Sequence, residues 1–180
     1  MISFDLTGKV AVVTGASSGL GQQFARALSE QGCDVAILAR RKERLEEFSK
    51  ELKQNGQDCL PVSCDVTDEE SIKNAVKAVV DHFGKIDILV NNAGVSDSMM
   101  TIDCNPEHFQ EIINLNVNAV FNAIQPSVEL MKEQGGGCII NTSSMVSKYG
   151  QPGGVAYPTS KFGVNGLTIS LARELGQYGI

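Results

Sequence analysis

Only two histidines, His82 and His108, occur in 180 residues, which leaves no room for a histidine-rich metal site. The five cysteines contain no Cys-x-x-Cys pair. Cys33, Cys59, Cys64 and Cys138 stand in or beside apolar runs and are expected to be buried free thiols, while Cys104 falls in a loop. An odd set of unpaired thiols fits a reducing cytoplasm, and there the sequon Asn141-Thr142-Ser143 means nothing for glycosylation. There is no basic arm. The main Lys/Arg cluster, Arg40 to Arg44, runs straight into Glu46 and Glu47, and the formal net charge is -6. That balance gives a soluble acidic surface and excludes the usual footprint of a nucleic-acid binder. No apolar run approaches the ~20 residues of a membrane span. The opening MISFDLTGK lacks a basic region followed by an apolar one, so no signal peptide is expected. Internal repeats and low-complexity linkers are also missing, and the length is that of one domain with a real core.

What is present alternates. Lys9–Thr14 (KVAVVT), Cys33–Ala39 (CDVAILA), Leu60–Cys64, Ile86–Asn91 (IDILVN) and Cys138–Thr142 are short, near-continuous apolar runs and are expected to be strands. Between them lie helical patterns. Gly19–Gln31 places Phe24, Ala25 and Leu28 on one face, and Lys42–Gln54 turns Leu45, Phe48 and Leu52 inward. Asp68–His82 is expected to be capped by Thr67, with Glu70 at the capping-box position. Asn105-Pro106 is an N-cap followed by a proline at the first helical position. The helix it opens keeps its apolar periodicity to Met131, with a break possible along the way, and Gly135–Gly137 ends it. A last helical segment runs from about Val155 to Tyr178. The order βαβαβαβαβα, with strands apolar on both faces, predicts an α/β fold: a doubly wound parallel sheet, helices on both faces, and right-handed crossovers.

The turn after the first strand reads Thr14-Gly15-Ala16-Ser17-Ser18-Gly19-Leu20-Gly21. Gly-x-x-x-Gly-x-Gly between a strand and a helix is a phosphate cradle. Gly15 permits the tight turn, Gly19 lets backbone approach a pyrophosphate, and Gly21 lets the helix pack close to the sheet. The helix N-terminus presents unpaired N–H groups to the anion, and Ser17 and Ser18 add hydroxyl donors. It is not a Walker A loop, because no Gly-Lys-Ser/Thr follows. At the end of the second strand a dinucleotide site for NAD normally carries an acidic residue for the ribose 2′-hydroxyl. Here Ala39 is followed by Arg40 and Arg41. A basic residue at a helix N-terminus gains nothing from the dipole, whereas a guanidinium fork matches a phosphate. NADP is the expected cofactor, with NAD the alternative.

Tyr157-Pro158-Thr159-Ser160-Lys161 puts a tyrosine and a lysine four apart, on one helical face. Pro158 is tolerable there if the helix begins close to Tyr157, as Gly153, Gly154 and Val155 indicate. Four further stretches stand in order with it and the glycine turn: Cys64-Asp65-Val66, Asn91-Asn92-Ala93-Gly94, Asn114-Leu115-Asn116-Val117 and Asn141-Thr142-Ser143-Ser144. Together, over the whole chain, they resemble the short-chain dehydrogenase/reductase family in its GxxxGxG, YxxxK oxidoreductase branch.

The resemblance implies a Rossmann fold and a function: interconversion of a ketone and a secondary alcohol by hydride transfer. It implies four catalytic residues. Tyr157 matches the acid/base tyrosine and Lys161 its partner, which also reaches the nicotinamide ribose. Ser144, thirteen residues before the tyrosine, matches the catalytic serine better than Ser143 does, and Asn116 matches the asparagine that holds a relay water. Asp65 and Val66 match residues beside the adenine ring, and Asn91, Ala93 and Gly94 those lining the cofactor after the fourth strand. Family members continue past the position of Ile180 into further strands and a substrate lid, so the chain is expected to be C-terminally truncated. An inactive dinucleotide-binding or structural protein, and an epimerase or dehydratase on the same scaffold, are the alternatives. Val95–Asp103 and Val146–Gly154 are expected to line the substrate pocket, with Met99, Met100, Met145 and Tyr149 as apolar walls and a 3-oxoacyl thioester, sugar acid, steroid or small ketone as substrate. Relatives pair two helices with their copies across a two-fold axis. Phe121, Ile124, Val128, Leu130 and Met131 on the 106–131 helix, and Phe162, Leu167, Leu171 and Leu175 on the 155–178 helix, are the surplus apolar surface expected to do so, giving a dimer or tetramer.

Overall fold

The computed structural model describes residues 4–180. Five strands, β1 (Val10–Thr14), β2 (Asp34–Ala39), β3 (Cys59–Ser63), β4 (Ile88–Asn91) and β5 (Cys138–Asn141), form one sheet in the order β3-β2-β1-β4-β5. Every pairing is parallel. The chain therefore winds outward from β1 to β3, returns, and winds the other way through β4 and β5. The crevice between the C-terminal ends of β1 and β4 is the switch point where such sheets bind ligands.

All five residues of β1 are buried, which is why it reads as an unbroken apolar run and not an alternation. Val10 and Val12 point to one face, packed on α3 (Glu69–Phe83) and α5 (Ala119–Gln134). Ala11 and Val13 point to the other, against α1 (Gly19–Glu30) and α2 (Lys42–Leu52). Ile37, Leu38, Leu45, Leu52, Ile72 and Leu89 are fully buried, each contributing about 1.5–3 kcal/mol of transfer free energy.

Four details differ from the sequence expectation. The cap of α3 is Asp68, whose carboxylate accepts from Glu70 N at 3.0 Å. Thr67 is drawn away from capping because its hydroxyl and N–H both bond Asp65 Oδ1, at 2.7 and 3.0 Å. The helix from Pro106 does not break where the sequence allows it to: α4 (Pro106–Ile113) runs through a π-helical turn, Asn114–Asn118, directly into α5. Cys138 is exposed, since β5 is paired on one side only and its exposure alternates, while Cys33, Cys59 and Cys64 are buried as expected.

The fourth is the helix surface. Ile124, Met131 and Leu175 are buried, and Val128, Leu130, Leu167 and Leu171 pack on the core. Of the nine expected surplus residues only Phe121 and Phe162 stand in solvent, joined by Ile169. After β5 come a single turn α6 (Val146–Tyr149) and α7 (Ala156–Leu175), which continues as a 3-10 turn to Tyr178. Pro158 lies in the first turn of α7, where its missing N–H breaks no bond.

Candidate active site

A cleft of about 630 Å³ opens over the C-terminal ends of the strands. At one end is the glycine turn. Gly15 has φ +67°, and a Cβ there would come within 2.8 Å of Ala93 Cα; one on Gly21 would stand 2.4 Å from the Gly15 carbonyl oxygen. These two contacts bring the first turn of α1 down onto the segment after β4. Gly19 (φ +60°) instead faces open space, and Ser18 at the N-cap makes no side-chain bond to the helix. The first N–H groups of α1 are thus left to point at a bound anion. Leu20, exposed, stands in the cleft wall beside Ser17 and Ser18.

Arg41 folds back over this turn. Its guanidinium donates to Ser17 Oγ at 3.0 Å and Ser18 Oγ at 3.3 Å. Arg40 lines the same wall. Neither has a carboxylate within ion-pair distance among the described residues. Asp65 and Val66 line the cleft as well, just past the end of β3, the strand next to β2. The Thr67 hydroxyl and N–H hold the Asp65 carboxyl below its ordinary range. An open glycine backbone, an uncapped helix start, two hydroxyls and an unpaired guanidinium fit the phosphates of a dinucleotide.

The far end carries the tyrosine and lysine. Lys161 is 6 % exposed. Burial pulls its pKa below the ordinary lysine value. Its Nζ donates to the Thr142 carbonyl at 2.8 Å and lies 5.8 Å from the centroid of the Tyr157 ring. Tyr157, half-buried, lines the cleft with it.

Asn116 is fully buried in the π turn. Its Oδ1 accepts from Val95 N, and its Nδ2 donates to Val95 O and Ser160 Oγ, at 2.9, 2.9 and 3.0 Å. The wide turn is what aims the amide at both backbone groups of Val95. One lone pair on Oδ1 is left. The space beside Gly94 is bordered by Asn116 Oδ1 and Lys161 Nζ, 3.0 and 3.8 Å from where a Cβ would be.

The two serines after β5 separate. Ser143 Oγ is committed to the scaffold, at 3.1 Å from Ser147 Oγ and 3.3 Å from the Lys161 carbonyl. Ser144 Oγ makes only a long 3.4 Å contact with Val146 N and stays half-exposed. Ala93 and Gly94 line the cleft, but Asn91 is buried beside it, bonded to Asn141 Oδ1 at 2.9 Å. Its neighbour Asn92 is the one in the wall, holding Thr14 and Gly15 by their carbonyls. The Thr142 carbonyl that receives Lys161 has no signature in sequence, because it is a backbone acceptor. Met99, Met100, Met145 and Tyr149 are exposed and none lines this cleft.

The model of the family described as short chain dehydrogenase matches residues 9–180. The chain belongs to the short-chain dehydrogenase family. It is 48% identical over 176 residues to a 3alpha-hydroxysteroid dehydrogenase of Mediterraneibacter gnavus, covering 95% of this chain and 69% of that protein. It is 41% identical to the 3-oxoacyl-(acyl-carrier-protein) reductase FabG of Staphylococcus aureus, covering 96% of this chain and 70% of that one. Among solved structures, an NAD+-bound xylitol dehydrogenase superposes with TM-score 0.95 at 35% identity, over 98% of this chain and 68% of its own. A short-chain type dehydrogenase/reductase from Mycobacterium marinum does so with TM-score 0.94 at 38% identity, over 98% and 72%. The protein is thus an oxidoreductase acting on CH–OH and C=O groups, in a family that binds a nicotinamide dinucleotide. No described helix is long and apolar enough to cross a membrane.

Proposed function

We propose that the protein uses NADP to interconvert a ketone and a secondary alcohol whose reacting carbon carries an apolar body. The observation that carries the redox reading is Lys161, buried, without a carboxylate partner, and beside Tyr157 at the end of a dinucleotide-shaped cleft. The bound nicotinamide supplies or takes the hydride. Tyr157 gives the proton to the carbonyl oxygen. The Lys161 ammonium beside the ring stabilises the negative charge left on Tyr157 when that proton leaves. Ser144, the hydroxyl not consumed by the scaffold, holds the oxygen as charge develops on it. Asn116 fixes Val95 and offers its remaining lone pair to a water next to Lys161 Nζ. In the reverse direction Tyr157 takes the alcohol proton.

The apolar body is inferred from Met99, Met100, Met145 and Tyr149, on the two segments that flank the tyrosine. That favours a steroid or acyl chain over a sugar acid. A ketone panel run on the complete enzyme with NADPH tests it. We expect bulky apolar ketones to exceed small polar ones in kcat/KM by at least tenfold; equal values would sink the apolar-body assignment. Buried free thiols and the acidic surface fit a cytoplasmic enzyme.

We also propose self-association through α5 and α7, on the exposed Phe121, Phe162 and Ile169. Since most of the expected surplus is buried in the core, the contact rests on few residues. Changing Phe121 and Phe162 together to Ser should shift the complete protein from dimer or tetramer toward smaller species in analytical ultracentrifugation. An unchanged sedimentation profile would place the contact elsewhere.

A further inference from the structure

Two loop segments just beyond the cofactor cleft, 97–103 and 150–155, meet backbone to backbone. One follows β4; the other leads into α7. A Cβ on Gly154, whose φ is +78°, would come within 2.8 Å of Ser98 Cα, and one on Gly153 within 3.4 Å of Met100 Sδ. Gln151 spans the junction. The two hydrogens of its Nε2 are shared among three carbonyls, those of Asp97 at 2.8 Å, Gly154 at 3.1 Å and Gly153. The other end is tied to α4. His108 Nε2 stands 2.9 Å from Asp97 Oδ1, while Asn105 Oδ1 accepts from the His108 N–H at 2.8 Å and fixes the turn that carries it. The only other charged group near the ring among the described residues is Glu111, 4.0 Å from Nδ1.

Asp97 is an unusual acid for a loop. Its side chain is 8 % exposed, and Oδ2 is buried without a hydrogen-bond partner. Withholding a carboxylate oxygen from water is costly, so solubility does not explain it. His108 in turn holds the Asp97 carboxyl below its ordinary range. The chain of contacts runs from α4 through His108, Asp97 and Gln151 to Gly154. Only Val155 and Ala156 separate Gly154 from Tyr157. None of the three polar residues lines the cofactor cleft.

We propose that His108, Asp97 and Gln151 form a clasp that positions Tyr157 and the Met99–Met100 rim for the carbonyl substrate. The inference rests on the ketone-reductase reading above. All three are positioning residues; none touches the reacting atoms. Gln151 is the centre, because its amide bonds both loops at once. His108 acts through Asp97.

The test uses the complete enzyme with Gln151→Met, which keeps length but has no donor, His108→Leu, and His108→Gln, which restores a donor toward Asp97. Gln151→Met should lower kcat/KM for the ketone about tenfold or more, with kcat and KM both affected. The NADPH Kd should stay within about twofold. His108→Leu should show a smaller loss of the same kind, and His108→Gln should recover most of it. The Gln151→Met/His108→Leu double variant should lose little beyond Gln151→Met, since a clasp cut once is cut.

Amide hydrogen exchange reads the clasp without turnover. Gln151→Met should speed exchange in residues 97–104 and 153–157 together and leave 15–21 unchanged. If the wild type reduces no ketone, the functional reading fails while exchange still decides on the clasp. Unchanged exchange in both loops would overturn the proposal. So would a loss of coenzyme binding and thermal stability in step with turnover, which marks general scaffolding.

Discussion

Changing Tyr157 to Phe is expected to cut turnover by about 10²- to 10⁴-fold, the range for removing a positioned general acid. The ring stays, so its packing beside Lys161 and in the cleft wall stays. Only the proton donor is lost. The coenzyme Kd should therefore remain within about twofold of wild type, because the phosphate cradle lies at the other end of the cleft. The same variant separates the active-enzyme reading from that of an inactive dinucleotide-binding protein, in which it would change nothing measurable. Lys161→Met should lose turnover as well, but with weaker coenzyme binding, since Lys161 is expected to touch the nicotinamide ribose as well as the tyrosine. Retention of more than a tenth of wild-type kcat by Tyr157→Phe would remove Tyr157 from the chemistry. A stopped-flow measurement of NADPH oxidation at saturating ketone gives the number directly.

Much of this was legible in the sequence because the strands are buried on both faces. Val10–Thr14 and Asp34–Ala39 carry almost no exposed position, so their apolar runs survive without interpretation of phase. The glycine turn is legible because each glycine answers to a steric demand, two to close backbone approach and one to a positive φ facing open space. Edges and turns were harder. Cys138 sits among apolar residues in sequence, yet its strand has one neighbour and leaves it exposed. Thr67 and Asp68 are adjacent cap formers, and the choice between them is made by Asp65, which captures the threonine. The π turn has no compositional mark. What it serves is tertiary, the bonds of Asn116 to both backbone groups of Val95. Helix phase is no easier to read, since Ile124 and Met131 pack into the core against the sheet and not outward.

Arg41 gives the second large effect. In the structure its guanidinium already stands at 3.0 and 3.3 Å from the hydroxyls of Ser17 and Ser18, beside the start of α1. Neutral hydroxyls leave the charge uncompensated. The residue preceding the arginine pair is Ala39, so no carboxylate stands there to receive a ribose 2′-hydroxyl or to repel a phosphate. A 2′-phosphate placed at this wall would gain charge-assisted bonds of about 1.5–3 kcal/mol, roughly a 10- to 150-fold preference. Wild-type enzyme is thus expected to favour NADPH over NADH in kcat/KM by at least tenfold. Arg41→Ala should remove most of that factor by raising the KM for NADPH, with kcat/KM for NADH held within about threefold. Arg40→Ala should do less, because Arg41 alone is drawn onto the serine pair. The advantage should also shrink with added salt, as an exposed charge contact does. Equal kcat/KM values for the two cofactors in the wild type, or an Arg41→Ala variant as NADPH-selective as its parent, would show that both arginines are solvated charges and that the cleft takes NAD.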